Sequence, residues 1–276
     1  DCDGIYCSSG YDLCGICGGN DVLNNYYCGD RNVIFDIYAL NPDYNLTDMY
    51  TGNNFWDYPD IGGGKRLIKL SLDGGSSAGP AELYQLPESF GDLTYLEELS
   101  INFSYLDELP ESFSNLSNLK ELHISLDSFD SFPNEIFNLT NLEELGLGVN
   151  YIGSFSYVDY PSPIFDLSED IGNLSNLLDL YLYNLGLTSL PNSICDLVSL
   201  RQIQVKKSNI TNIPECLFEL GNLEWIDFRN NNLTSIPESV CQNYSNYDSL
   251  YLEDNQLCND LPECISEGNL GDQACP

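Results

Sequence analysis

Basic residues are scarce in this sequence: nine lysines and arginines stand against 43 aspartates and glutamates, so the formal net charge is −34. Nucleic acid and anionic membrane surfaces are bound by clusters of Lys and Arg, so the sequence predicts no nucleic-acid partner. No stretch of 18 apolar residues occurs, and membrane insertion is therefore not expected. The hydrophobic content of 42% is enough for a sizeable core.

Cysteine is absent from the 166 residues between Cys28 and Cys195. This clustering at both ends predicts disulfides on exposed termini, an oxidising compartment and hence a secreted, extracellular protein. No signal peptide is recognisable at Asp1, as expected of a processed secreted protein. A zinc site is the weaker interpretation, because the only CxxC is far from the single histidine. The two groups are Cys2, Cys7, Cys14, Cys17 and Cys28, and Cys195, Cys216, Cys241, Cys258, Cys264 and Cys275.

A pattern of the form LxxLxL recurs eight times. Its copies start at residues 67, 96, 119, 142, 177, 200, 223 and 247, mostly 23 residues apart, with longer steps of 29 and 35 where two repeats carry insertions. A hydrophobic residue followed by proline comes after each strand segment, as at Leu109-Pro110 and Ile213-Pro214. Alternation places the LxL side chains inside, and proline ends the strand in a turn or 3₁₀ segment. Each unit buries its apolar face only when the next unit stacks on it.

These residues resemble the leucine-rich-repeat family of the 23-residue LPxSIxxLxxL type. The resemblance implies an α/β solenoid, a curved right-handed superhelix with a parallel β-sheet on its concave side and 3₁₀ or short helices on its convex side, capped at both ends. We divide the chain into a cysteine-rich segment (1–30), an N-terminal cap (31–64), eight repeats (65–265) and a C-terminal cap tail (266–276). The family's turn asparagine is present in three copies only, at Asn150, Asn231 and Asn255.

The ends carry further resemblances. Residues 33–43 predict a short helix that ends before Pro42, followed by a polar loop with Trp56; this looks like the N-terminal cap of plant-type repeat proteins. The run CGICGGND resembles short calcium-binding repeats of the thrombospondin type 3 kind, which would make calcium the one possible cofactor. The alternative is a disulfide knot with solvated carboxylates. The candidate calcium ligands are Asp1, Asp3, Asp12 and Asp21.

The C-terminal cysteines follow prolines at repeated offsets. Cys195 and Cys241 each come four residues after a proline, and Cys216 and Cys264 two residues after the next one. This repetition favours Cys195–Cys216 and Cys241–Cys264, which leaves Cys258–Cys275. Six cysteines allow 15 pairings, so the sequence leaves the others open.

Catalysis finds little support in the sequence. The only histidine, His123, is predicted on the outer face of its strand beside Ser100, without a nucleophile elbow. No phosphate-binding or dinucleotide-binding motif occurs. The many paired glutamates are those of a solvated, acidic strand face. We therefore predict a protein that is not an enzyme.

The outward positions of the concave sheet change character along the chain. The first half of the sheet carries small and acidic side chains. The second half carries aromatic and basic side chains, which are the usual anchors of protein interfaces. Ordinary surface variation is the alternative. The candidate partner-binding residues are Tyr181, Tyr183, Arg201, Gln204, Lys206, Lys207, Trp225, Asp227, Arg229 and Tyr251.

Eight N-x-S/T sequons predict N-glycans if the source is a eukaryote. Four of them share one repeat position, away from the strand face, whereas Asn102 is expected to face outward from a strand. The sequons lie at Asn45, Asn102, Asn115, Asn138, Asn173, Asn209, Asn232 and Asn243.

Two functions follow from these features. The first is a structural subunit of an extracellular assembly such as a coat or fibre, in which the odd cysteine of the N-terminal group joins a second copy. The second is a secreted recognition module that binds a protein or peptide on its concave face.

Overall fold

The repeated leucines produce one short strand in each coil. The computed structural model describes residues 28–42, 44, 56–57, 66–72, 83–102, 104–126, 128–149, 165–258, 261–266 and 270–275. In it, the strands of the repeats form a parallel eight-stranded sheet in chain order from β3 to β10. The strands are β1 (Trp56–Asp57), β2 (Arg66–Leu67), β3 (Lys69–Ser71), β4 (Glu98–Ile101), β5 (Glu121–Ser125), β6 (Glu144–Gly148), β7 (Asp179–Tyr183), β8 (Gln202–Lys206), β9 (Trp225–Asp227) and β10 (Ser249–Tyr251).

Short 3₁₀ helices form the return path of the coils, as the prolines predict. Most begin directly after a proline in extended conformation, because proline fixes φ and has no N–H that would need a partner where the strand path ends. Ser168 replaces proline once, and its hydroxyl accepts a hydrogen bond from the N–H of Asp170. The helices span Glu88–Asp92, Glu111–Asn115, Asn134–Asn138, Glu169–Asn173, Asn192–Asp196, Glu215–Glu219, Glu238–Cys241 and Tyr244–Asn246.

The core of this curved solenoid lies between the sheet and the 3₁₀ helices. The leucine pairs of successive strands are in register, so that Leu122 pairs with Leu99 on one side and with Leu145 on the other. Large side chains from the helices complete each layer, and Phe90 and Phe113 stack with ring centroids 5.8 Å apart. All five are at most 2% exposed, which makes burial of apolar area the main source of stability.

Asparagines tie neighbouring coils together where the family pattern is kept. The amide nitrogen of Asn231 donates to the carbonyls of Val205 and Phe228, at 2.7 and 3.0 Å, and its oxygen accepts from the N–H of Ile210. At the same position one coil earlier, the buried Ser208 hydroxyl has no partner within the described part of the chain. Serine is too short to bridge the coils as asparagine does.

The N-terminal cap is built around one helix, α1 (Cys28–Leu40), and one buried carboxylate. The helix begins five residues before the predicted one, and Trp56 lies in β1, paired antiparallel with β2, where the sequence analysis expected a loop. Asp30 of α1, which is 1% exposed, accepts two hydrogen bonds from the Arg66 guanidinium, both at 2.9 Å, and one from the N–H of Leu67 at 2.8 Å. This buried ion pair fixes the helix to the strand that follows the cap segment.

Three disulfides close the C-terminal part. They join Cys195 to Cys216 and Cys241 to Cys264, the two pairs that the proline offsets favour, and Cys258 to Cys275, the pair that then remains. The first two link the 3₁₀ helices or turns of neighbouring coils. The third holds the tail, in which Gln273 pairs with Asn255 in an isolated bridge.

Candidate functional site

Strand register brings the predicted partner-binding residues onto one surface. Along the sheet, Tyr181 pairs with Gln204, Gln204 with Asp227, and Asp227 with Tyr251. Tyr183 and Lys206 pair in the adjacent column. We call the surface formed by strands β7 to β10 and by the one or two residues that flank each strand the concave platform.

Asp227 is the structural centre of the platform. Its carboxylate is 1% exposed and accepts two hydrogen bonds from Arg229, with Nη2 at 2.6 Å and Nε at 2.9 Å. Lys206 adds its Nζ at 3.5 Å from the same carboxylate. The hydrogen bond to Asp227 raises the pKa of Arg229 above its ordinary value. Asp227 therefore orients two cations, whereas its own burial keeps it from contacting a partner.

The predicted basic cluster is not an open anion-binding patch. Besides the pairs of Lys206 and Arg229 with Asp227, the Arg201 guanidinium lies 3.0 Å from Glu224. Lys207 places its Nζ 5.2 Å above the ring of Tyr183. Arg201, Lys206 and Arg229 are thus each paired with a carboxylate. They remain directional hydrogen-bond donors.

Aromatic rings supply most of the remaining area of the platform. Trp225 and Tyr251 contact each other with centroids 5.5 Å apart, and the Arg229 guanidinium lies 4.7 Å from the centre of the Tyr251 ring. Both aromatic side chains, like Tyr181 and Tyr183, are half-buried. Such rings offer apolar contact area with little loss of side-chain entropy on binding. The platform is therefore suited to a macromolecular or peptide partner.

The first half of the same sheet is acidic. Glu98, Glu121, Glu144 and Asp179 are paired in one row across β4 to β7. Burial, followed by the neighbouring carboxylates Glu98 and Glu144, raises the pKa of Glu121, and burial together with Glu144 raises that of Asp179. Lys69 pairs with Glu98 at the start of the row. This half repels anions and differs sharply from the platform.

His123 lies within the acidic half. It faces Ser100 on one side and Gly146 on the other, as predicted. Its Nε2 is 3.0 Å from Glu144, and its ring lies so close to Gly146 that a side chain at that glycine would collide with it. The imidazole is thus held between the Glu144 carboxylate and the space above Gly146.

Asp1, Asp3, Asp12, Asp21, Asn45 and the cysteines before Cys28 lie outside the described residues. Within the described part, no group of three or more His, Cys, Asp or Glu side chains is placed to hold a metal ion. The prediction for Asn102 is wrong: β4 ends at Ile101, so strand alternation does not extend to this residue, which is fully buried and donates to Ser100 Oγ at 2.6 Å.

The candidate partner-binding residues predicted from the sequence did not include Glu224 and Glu253. Glu224 is one repeat after Arg201, and Glu253 lies 3.9 Å from Arg229. The spacing of 23 residues between Arg201 and Glu224 was a usable signal, because equal positions of adjacent coils are neighbours. Lys207 has a positive φ of 50°, and the same repeat position has a positive φ at Asn184, Asn230 and Asp254. Asn and Asp adopt this conformation more readily than other residues, so the repeat position was the usable signal.

Two sequence-family models match the chain. One, described as "Leucine rich repeat", matches residues 200–257, and the other, described as "BspA type Leucine rich repeat region (6 copies)", matches residues 86–177. Together they cover more than half of the 276 residues. A comparison with curated protein sequences finds no relative.

Solved structures share the fold at low sequence identity. PEPR1 in its complex with AtPEP1 is 22% identical with a TM-score of 0.61, over 87% of this chain and 33% of its own. A plant ice-binding protein is 16% identical with a TM-score of 0.53, over 91% and 96%. Internalin C2 from Listeria monocytogenes is 18% identical with a TM-score of 0.52, over 75% and 78%.

Several of the matched proteins are considerably longer. The chain spans one third of PEPR1 and 48% of a leucine-rich-repeat protein from Leptospira interrogans. In the part of the chain that the structure describes, no helix has the length and apolar character needed to cross a membrane.

Proposed function

Because this chain belongs to the leucine-rich-repeat proteins, we propose that it is an extracellular, non-catalytic interaction module that binds a protein or peptide partner on its concave platform. Proteins of this family are generally interaction scaffolds. PEPR1, which shares the fold, is seen in a complex with AtPEP1.

The observation that carries this proposal is the preorganised platform itself. Buried Asp227 holds Arg229 and Lys206 in place before any partner arrives, and Arg229 in turn packs on Tyr251. Groups that are already fixed lose less entropy on binding, so more of the contact energy appears as affinity. A central cluster of Tyr, Trp and Arg is also the composition of interface hot spots.

The extracellular part of the proposal rests on the disulfides. Three cystines within 81 residues, from Cys195 to Cys275, are expected in an oxidising compartment and are rare where glutathione keeps thiols reduced. The excess of carboxylates on the rest of the molecule also favours high solubility.

A displayed library of random peptides, selected on the immobilised protein, tests the proposal. We expect selected peptides to bind Tyr181→Ala and Tyr251→Ala at least tenfold more weakly than the wild type. Tyr105→Ala is the matched control, because this tyrosine is 43% exposed and lies far along the chain in the first repeats. Selected peptides that bind all variants equally would contradict the proposal.

A structural role in an extracellular assembly is the second candidate. The specific observation for it is that the six C-terminal cysteines pair with one another. None of them is left for the five N-terminal cysteines, and because five is an odd number at least one of these has no disulfide partner within the 276 residues. A disulfide from this cysteine to a second chain would provide the missing partner and would begin the assembly of a coat or fibre.

Sedimentation and non-reducing gel electrophoresis separate the two candidates. The assembly role predicts covalent dimers or larger species that dissociate with reductant. A protein that stays monomeric without reductant, at high concentration and with calcium present, contradicts the assembly role and leaves the recognition role standing.

A further inference from the structure

We infer that N-glycans are carried by one column of sites, Asn115, Asn138 and Asn173, on the convex side, and that the fold withholds Asn102 and Asn243 from full modification. The inference relies on the secretory route of the proposed function, but not on the concave platform.

The three favoured asparagines share one local geometry. Each is the last residue of a five-residue 3₁₀ helix, and each side chain is exposed. The leucine at the second position of each sequon is buried, which fixes the loop, whereas the Ser or Thr at the third position is exposed beside the asparagine. The side-chain amides make no hydrogen bond within the described part of the chain.

Two of the other described sequons are engaged in the fold. Asn102 is fully buried. The Nδ2 of Asn243 donates to the carbonyl of Phe218 at 2.9 Å. A sugar on either nitrogen has to compete with the protein for the same space. Asn209, which is exposed, and Asn232 make only long amide contacts of 3.5 Å, and neither lies at the end of a 3₁₀ helix.

The modification requires free approach to one atom. The amide Nδ2 attacks C1 of a sugar carried on a lipid diphosphate; the new C1–N bond forms as the C1–O bond to the diphosphate breaks. The amide proton goes to a base of the transferring enzyme, and the lipid diphosphate leaves. Transfer can precede folding, so a molecule with a sugar on Asn102 cannot close its coil and is not expected among the secreted, folded molecules.

The column also explains why glycans and partner do not compete. The 3₁₀ helices form the return path of each coil, opposite the strands that carry the platform. Glycans at Asn115, Asn138 and Asn173 therefore extend from the convex side and leave strands β7 to β10 uncovered. They also cover the convex surface of the first repeats.

The test uses the protein secreted from a eukaryotic host cell. Glycopeptide mapping, with intact mass before and after peptide N-glycosidase, is expected to show high occupancy at the three column sites and none at Asn102. Asp92 provides a gain-of-function control, because it occupies the same helix-end position and is followed by Leu93-Thr94. Asp92→Asn is expected to add one further glycan.

Three results would overturn the inference: empty column sites, occupied Asn102 in folded protein, or equal occupancy at all sequons. An Asp92→Asn protein that gains no glycan would also overturn it, since the exposed helix end would then not be the deciding feature. Loss of the glycans without loss of peptide binding to the platform would leave the proposed function intact.

Discussion

Replacing Asn231 by alanine removes the amide that joins two neighbouring coils. The side chain is 6% exposed and serves carbonyls on both coils as well as the N–H of Ile210, 3.2 Å from its oxygen. After truncation, at least the Val205 carbonyl and the Ile210 N–H are left buried without that partner. A buried group that loses its hydrogen bond costs about 1–3 kcal/mol. The free energy of unfolding is therefore expected to fall by about 3 kcal/mol, and Tm by roughly 6–12 °C.

Urea unfolding with the disulfides intact, followed by circular dichroism, measures this loss. Ser208→Ala is the matched control, because Ser208 holds the same repeat position and its buried hydroxyl has no partner in the described structure. We expect that control to change the free energy of unfolding by less than about 0.5 kcal/mol, since no hydrogen bond is lost. A loss below about 1 kcal/mol for Asn231→Ala, or equal losses for both variants, would refute the reasoning.

Two further predictions concern charge and cross-links. Glu121→Gln should stabilise the protein by about 0.5 kcal/mol at neutral pH, because Glu121 stands directly opposite Glu98 and Glu144. Because the pKa of Glu121 is raised in the folded protein, ionisation of this carboxyl opposes folding. The gain in stability from Glu121→Gln should therefore vanish at about pH 3.5, where the carboxyl is protonated in both the folded and the unfolded state. Urea unfolding of both proteins at the two pH values checks this. Replacing Cys195 and Cys216 together by serine should cost about 3 kcal/mol, because the closed loop spans 21 residues, and calorimetry that shows no loss would contradict this.

Much of the fold was predictable because the repeated leucine pattern determines both where each coil begins and which face of the sheet a strand residue occupies. The leucine pattern assigns each strand residue to the core or to the concave surface, and the column from Tyr181 through Gln204 to Tyr251 follows directly. The proline offsets likewise anticipated the cystines, since equal positions of adjacent coils are neighbours in space.

The remaining features depend on contacts between side chains that the repeat pattern does not determine. Asp227 becomes the centre of the platform because Lys206 approaches diagonally and Arg229 folds back over two residues. The burial of Asn102 depends on where β4 ends, and the start of α1 at Cys28 depends on the pairing of Asp30 with the first strands. Tertiary contacts of this kind override local propensity.

Hydroxyl-radical footprinting of the protein with and without a selected peptide tests the central claim most directly. The platform predicts that oxidation of Tyr183, Trp225 and Tyr251 decreases when the peptide binds. Oxidation of the exposed, stacked pair Tyr84 and Tyr105, with centroids 5.2 Å apart, should stay unchanged. Protection of Tyr84 and Tyr105 with unchanged oxidation of the platform aromatics would contradict the claim that this protein recognises its partner on strands β7 to β10.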